Sequence, residues 1–183
     1  MKYLVTLICC LLFSCNAYAE ISGSAFFYYD KNHQVDSVSI PVYKDYNSKE
    51  PESYVVESYI KEYWHDLFII DKRGKRFLVE INDPWERYKR IFRWVDKCRC
   101  AGYILPIEEV DEDYEENQLY QIYRKRGGKS YRIFKYSEFA HFAVQILDYS
   151  GEWVKIRYFL KDGRTGTGWI NKICGNIYGC EGN

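Results

Sequence analysis

The strongest constraint on this chain is that part of it is written twice. Ser53-Tyr54-Val55-Val56-Glu57-Ser58-Tyr59 is matched 77 positions later by Ser130-Tyr131-Arg132-Ile133-Phe134-Lys135-Tyr136. The same offset carries Asp71 to Asp148 and Gly74 to Gly151. Self-similarity at a fixed offset marks one structural unit used twice. The clearer copy is Val144 to Ile170, where an apolar run ends in Asp148-Tyr149-Ser150-Gly151 and an alternating run follows with Trp153, Val154, Ile156 and Tyr158. A Gly-rich turn then leads to Gly168-Trp169-Ile170. Asp accepts backbone N–H bonds at a turn start and Gly supplies positive φ at its end, so the pattern reads strand, tight turn, strand, loop, strand. The earlier copy runs from Leu67 to Ile104, with Gly102-Tyr103-Ile104 read as the counterpart of Gly168-Trp169-Ile170. The offset grows to 80 at Tyr43/Tyr123, as a three-residue insertion in the first copy requires, and falls to 66 at Gly102/Gly168, as a longer insertion before its last strand requires.

Composition supports a β reading. Aromatic residues make up 19% of the chain, with 19 Tyr, and such side chains suit half-buried pleated surfaces. The second copy's SYRIFKY holds no helical stripe, so Ser53 to Phe68 is read as a strand followed by a looser or one-turn segment. The insertion in the first copy reads as a helix over 84–97. Asp83 can cap it, Pro84 suits its first position and Glu86 completes a capping box. Trp85, Tyr88, Phe92 and Val95 then share one face, and Arg87, Lys89, Arg90, Arg93 and Lys97 make the remainder basic. Glu108 to Glu116 holds seven acids in nine residues, a self-repelling block read as a linker. The expected organisation is a leader over 1–19, a first domain over 20–107, a linker over 108–116 and a second domain over 117–183.

The leader has a charged start at Lys2, an apolar run from Tyr3 to Phe13 and a small-x-small cleavage site ending at Ala19. Leu12-Phe13-Ser14-Cys15 supports a second reading, in which a bacterial lipoprotein is cleaved and acylated at Cys15. Both readings place the chain outside the cytoplasm, in the periplasm or cell envelope, and the second adds a lipid anchor as its only membrane contact. Cleavage after Ala19 leaves Cys98, Cys100, Cys174 and Cys180, an even count in an oxidising compartment. A Cys174–Cys180 bridge would close a short terminal loop. A Cys98–Cys100 bridge would be strained, which leaves pairing elsewhere or free thiols open.

Small closed barrels built from about five short strands bury one face with few residues. Val42-Tyr43 and Ile122-Tyr123, the apolar-Asp-x-x-Gly turns, the strand carrying Trp153 and the final Gly-Trp-Ile together resemble the bacterial SH3-type (SH3b) domain of cell-envelope proteins. The resemblance covers 117–173 well and the first copy less well. It implies a mainly β protein of two SH3-like barrels in tandem, the first with the helical insertion. It also implies a non-catalytic module that binds a cell-wall peptide or another envelope protein.

The search for chemistry agrees with that implication. Lys+Arg and Asp+Glu are both 26, and a zero net charge argues against a dedicated nucleic-acid binder. No zinc-protease, nucleophile-elbow or phosphate-loop motif is present, and no metal or cofactor is called for. Cys98 and Cys100 follow basic residues that could activate a thiol, yet no catalytic signature surrounds them. Exposed Tyr and Trp make rigid contact area at low entropy cost. Tyr43, Tyr46, Tyr123, Tyr131 and Trp169 are therefore the candidates for a ligand face. An inhibitor or immunity-type protein that blocks a secreted enzyme or toxin fits the same features.

Overall fold

The computed structural model describes residues 24–27, 37–57, 65–82, 90–107, 118–141 and 143–174. The leader, the acidic block, Cys180 and positions 84–89 of the expected helix lie outside them.

The chain is mainly β, as its composition requires. In the first repeat β1 (Phe26–Phe27), β2 (Val38–Val42), β3 (Ser53–Glu57), β4 (Asp66–Arg73), β5 (Arg76–Asn82) and β6 (Arg90–Asp96) follow in order. β4, β5 and β6 form an antiparallel meander, and β2 pairs with β3. Isolated bridges join Ala25 to Leu67 and Tyr43 to Trp94, which set β1 beside β4 and β2 beside β6. After a one-turn 3-10 helix at Lys97–Arg99 come β7 (Cys100–Ile104), β8 (Leu119–Tyr123), β9 (Tyr131–Lys135), β10 (Ala143–Ser150), β11 (Trp153–Phe159), β12 (Thr165–Ile170) and β13 (Ile173–Cys174). The larger sheet runs β1-β7-β10-β11-β12-β8-β9, with β13 on β7.

With those two bridges counted as links, the strand order β1-β4-β5-β6-β2-β3 runs in step with β7-β10-β11-β12-β8-β9. Details repeat as well. The β4–β5 and β10–β11 hairpins turn on Gly74 (φ 53°) and Gly151 (φ 58°), in a left-handed region that Gly enters without a Cβ penalty. Register slips between Ile69 and Asp71 in one hairpin and between Ile146 and Asp148 in the other, so the bulge is duplicated too. The one-turn segment expected after the SYRIFKY strand is the 3-10 turn at Tyr136–Glu138.

Three expectations are corrected. First, 90–96 is a strand and not the second half of a helix, because β6 pairs with β5 through seven consecutive residues from Arg90 to Asp96. Its Ile91, Phe92, Trp94 and Val95 are strand-favouring types, and pairing outweighs the helical spacing of Phe92 and Val95. Second, among the described residues neither half forms a closed barrel; the larger sheet ends at β9. Third, the counterpart of Trp169-Ile170 is Trp94-Val95, since Trp94 bridges Tyr43 as Trp169 pairs with Tyr123. Gly102-Tyr103-Ile104 has another part. Cys100 and Ala101 pair with β1 and close the first repeat, while Ala101, Gly102 and Tyr103 pair with β10 and open the second. One strand therefore serves both repeats.

The core follows from this sharing. Phe27, Leu67, Phe77 and Val79 of the first repeat and Val144, Ile146, Val154 and Ile156 of the second belong to one buried cluster. Each such side chain contributes roughly 1.5–3 kcal/mol by leaving water. The duplicated bulges meet at the seam. Lys72 Nζ donates to Asp148 Oδ1 at 2.7 Å and to the Tyr149 carbonyl, while Tyr149 Oη donates to the Ile70 carbonyl at 3.2 Å.

Candidate functional site

Four rings gather on one face of the second repeat. Tyr131, Tyr123 and Trp169 are direct cross-strand partners on β9, β8 and β12, so their side chains leave the sheet on the same side. The Tyr123 ring lies 5.6 Å from Tyr131 and 5.0 Å from Trp153, edge to face in both pairs. Such packing holds the rings in place while leaving part of their surface bare. Tyr131 is 48% exposed, and Tyr123, Trp153 and Trp169 are half-buried. Close passage of β8 over β12 requires Gly168, where a Cβ would meet Ile122 Cγ2 at 2.2 Å and the Tyr123 carbonyl oxygen at 2.9 Å.

Tyr123 also borders a hollow of about 260 Å³ lined by Ile104, Pro106, Tyr120, Ile122, Ile170 and Lys172 among others. That volume is small beside the roughly 300–1,000 Å³ of small-molecule sites, so it suits a single side chain of a ligand better than a cofactor.

The same place in the first repeat is filled differently. Arg76 stands 77 positions before Trp153, and its guanidinium lies 3.3 Å from the Tyr43 ring centroid where Trp153 meets Tyr123. Arg76 is 2% exposed; its Nε donates to Asp96 Oδ1 at 3.1 Å and its Nη1 to the carbonyls of Asp45, Tyr46 and Ser48 at 3.1, 3.2 and 2.7 Å. Tyr43 is consequently 7% exposed and sealed beneath an ionic plug. Tyr46 stays 43% exposed against Trp94, with the Arg73 guanidinium over both rings. The five aromatic candidates thus divide: Tyr123, Tyr131 and Trp169 share one face, Tyr46 stands apart on the first repeat, and Tyr43 is interior. Trp153, which sequence gave no reason to prefer, completes the face; its alignment with Arg76 was the available signal.

Potentially reactive groups lie elsewhere. Cys98 is an exposed free thiol and Cys100 a buried one. Burial pushes the Cys100 thiol far up, with Cys98 and Asp96 adding to it, so it stays protonated at neutral pH, the reverse of a catalytic thiolate. Cys174 is buried and disulfide-bonded, and the Cys174–Cys180 pairing lies outside the described residues because Cys180 does. Buried His65 Nδ1 sits 2.8 Å from Glu57 Oε1, and burial raises the Glu57 carboxyl against the opposing effect of the His65 hydrogen bond. Among the described residues no three His, Cys, Asp or Glu side chains are grouped to hold a metal ion.

Comparison of the chain with protein-family models, with curated proteins and with solved structures gives no match.

Proposed function

We propose that this chain is an exported, non-catalytic binding protein of the bacterial cell envelope. Its contact surface is the ring face of the second repeat, formed by Tyr123, Tyr131, Trp153 and Trp169. One observation carries the reading: the Tyr123, Tyr131 and Trp153 rings are fixed against one another yet partly bare, with Trp169 the cross-strand partner of Tyr123, where the first repeat fills the same position with buried Arg76. Rigid aromatic surface of this kind is favoured for recognition because little side-chain entropy is lost on contact. The resemblance to SH3-type envelope modules supports a cell-wall peptide or an envelope protein as the ligand. The leader over 1–19 supports release to the periplasm after Ala19, or anchoring through a lipid on Cys15.

Co-sedimentation with purified peptidoglycan tests the wall-peptide version. Wild-type protein should pellet with the polymer, and the double variant Tyr123→Ala/Trp153→Ala should remain soluble with an unchanged circular dichroism spectrum. Wild-type protein left in the supernatant removes the wall ligand, and a variant that pellets equally well removes the aromatic face. The basic β8–β9 hairpin, Arg124 to Lys129, favours a second reading as a blocker of a secreted enzyme or toxin. That reading calls for a tight one-to-one complex with the blocked protein.

A further inference from the structure

The ring face ends at β9, and β9 is unlike the other strands of its sheet. It is the terminal strand, paired with β8 along one side. Tyr131, Arg132, Ile133 and Lys135 are all exposed, and only Phe134 turns into the core. Among the described residues no strand pairs with the outer side of β9, where the backbone groups of Tyr131 and Ile133 face outward and the Lys135 N–H is taken by the Glu138 carboxylate. Unpaired edges of this kind are templates for another strand unless something blunts them.

Charge says what the edge selects. From Asn117 to Ser137 there are six Lys or Arg and no acid. Arg124, Lys125, Arg126 and Lys129 lie exposed on the hairpin loop, and none has a carboxylate partner among the described residues. Arg132 reaches Glu138 at 3.6 Å, and the Lys135 backbone N–H donates to the same carboxyl group, so Glu138 is already engaged. The matching edge of the first repeat, β3, also exposes Tyr54 and Val56, but Asp45, Glu50 and Glu52 flank it alongside Lys44 and Lys49. The basic character thus belongs to β9 and its hairpin. It excludes a second β9 as occupant, because like charges would face each other across the new pair.

We infer that the open edge of β9, with the basic hairpin beside it, accepts an acidic, extended segment of a partner protein as an added strand. The inference rests on the ring face being a binding surface and specifies what that surface binds. A partner strand along β9 spans about 17 Å at roughly 3.3 Å per residue. Its apolar side chains lie beside Tyr131 and Ile133, and its carboxylates, on the opposite face, come within reach of Arg132 and the hairpin.

The test uses the mature protein and a fluorescent twelve-residue peptide of alternating Glu and Val, read by anisotropy. The expected result is saturable binding that weakens on the order of tenfold between low and high salt, as exposed charge pairs require. A Lys-Val peptide should not bind. A Glu-Val peptide with alternate amides methylated, unable to donate along one edge, should lose binding without any change to the protein. Arg124→Glu/Lys129→Glu protein should bind at least tenfold more weakly. Absence of Glu-Val binding, equal binding of the methylated peptide or equal binding of the Lys-Val peptide each overturns the inference. If Glu-Val binding fails while peptidoglycan still pellets wild type and not Tyr123→Ala/Trp153→Ala protein, this inference falls and the ring face stands. If that variant binds Glu-Val as tightly as wild type does, the rings take no part in the contact, and the ring-face reading falls together with the inference that rests on it.

Discussion

Replacing Arg76 by Ala should cost more stability than any single change on the ring face. The guanidinium makes four hydrogen bonds, one to the Asp96 carboxylate and three to carbonyls of the 45–48 loop, and it stacks on Tyr43. Removing one member of a buried pair costs about 3–5 kcal/mol, because the partner is left without its counter-charge. Asp96 is 25% exposed and can recover some water, which places the figure near the lower end. The three carbonyls lie in one loop that can turn outward, so each adds about 1 kcal/mol at most. A total near 4 kcal/mol lowers the melting temperature by about 10 °C in a chain of this size. Urea unfolding followed by tryptophan fluorescence and circular dichroism measures it. Arg76→Lys keeps the charge but reaches fewer acceptors, and should recover about half of the loss. Hydrogen exchange should rise selectively over 44–50 in the Ala variant. A midpoint for Arg76→Ala corresponding to less than about 1 kcal/mol of loss would refute the account of Arg76 as a structural plug.

Other perturbations have equally definite outcomes. Gly168→Ala forces a Cβ against Ile122 and the Tyr123 carbonyl, so calorimetry should show a loss of about 1–3 kcal/mol as β8 and β12 are pushed apart. Gly127→Ala, at φ 61° with nothing within 4 Å, should lose only about 1 kcal/mol. Maleimide labelling with peptide mapping should modify Cys98 in the native protein and reach Cys100 only after denaturation. Asp148 would be raised by its partial burial, but the Lys72 hydrogen bond, the Tyr149 backbone N–H and the charges of Lys72 and Lys97 outweigh this and hold it below the usual range. A depressed carboxyl stabilises the fold above its unfolded value, near 3.9, and that contribution fades as pH falls through the lower folded value. The stability gap between wild type and Asp148→Asn should therefore be full at neutral pH and close in acid.

Much of the fold was legible because turn chemistry is local. Gly74 and Gly151 announced their hairpins, and the 77-residue offset carried the bulges with them. The sequence could not reveal β6, since Trp85, Tyr88, Phe92 and Val95 fit a helical period as well as a strand. Pairing with β5 decides that segment, and pairing is not written into its residues. The likeness of Gly102-Tyr103-Ile104 to Gly168-Trp169-Ile170 concealed the real counterpart, Trp94-Val95, in which Arg93 takes the place of Gly168. The site was legible in kind and less so in place. Tyr43 and Tyr123 look alike in sequence, yet one lies under Arg76 and the other against Trp153. Burial there is set by neighbours thirty or more residues away.

The position of β7 bears on any attempt to dissect this protein. Severing the chain before Cys100 strips β1 of the neighbour that zips it shut, and severing it after Ile104 robs β10 of its flanking partner. Wherever the scissors fall, one fragment inherits an unhealed seam. A deletion map would then report collapse of the scaffold in the guise of lost recognition, so contact residues are better sought by single exchanges on the intact molecule.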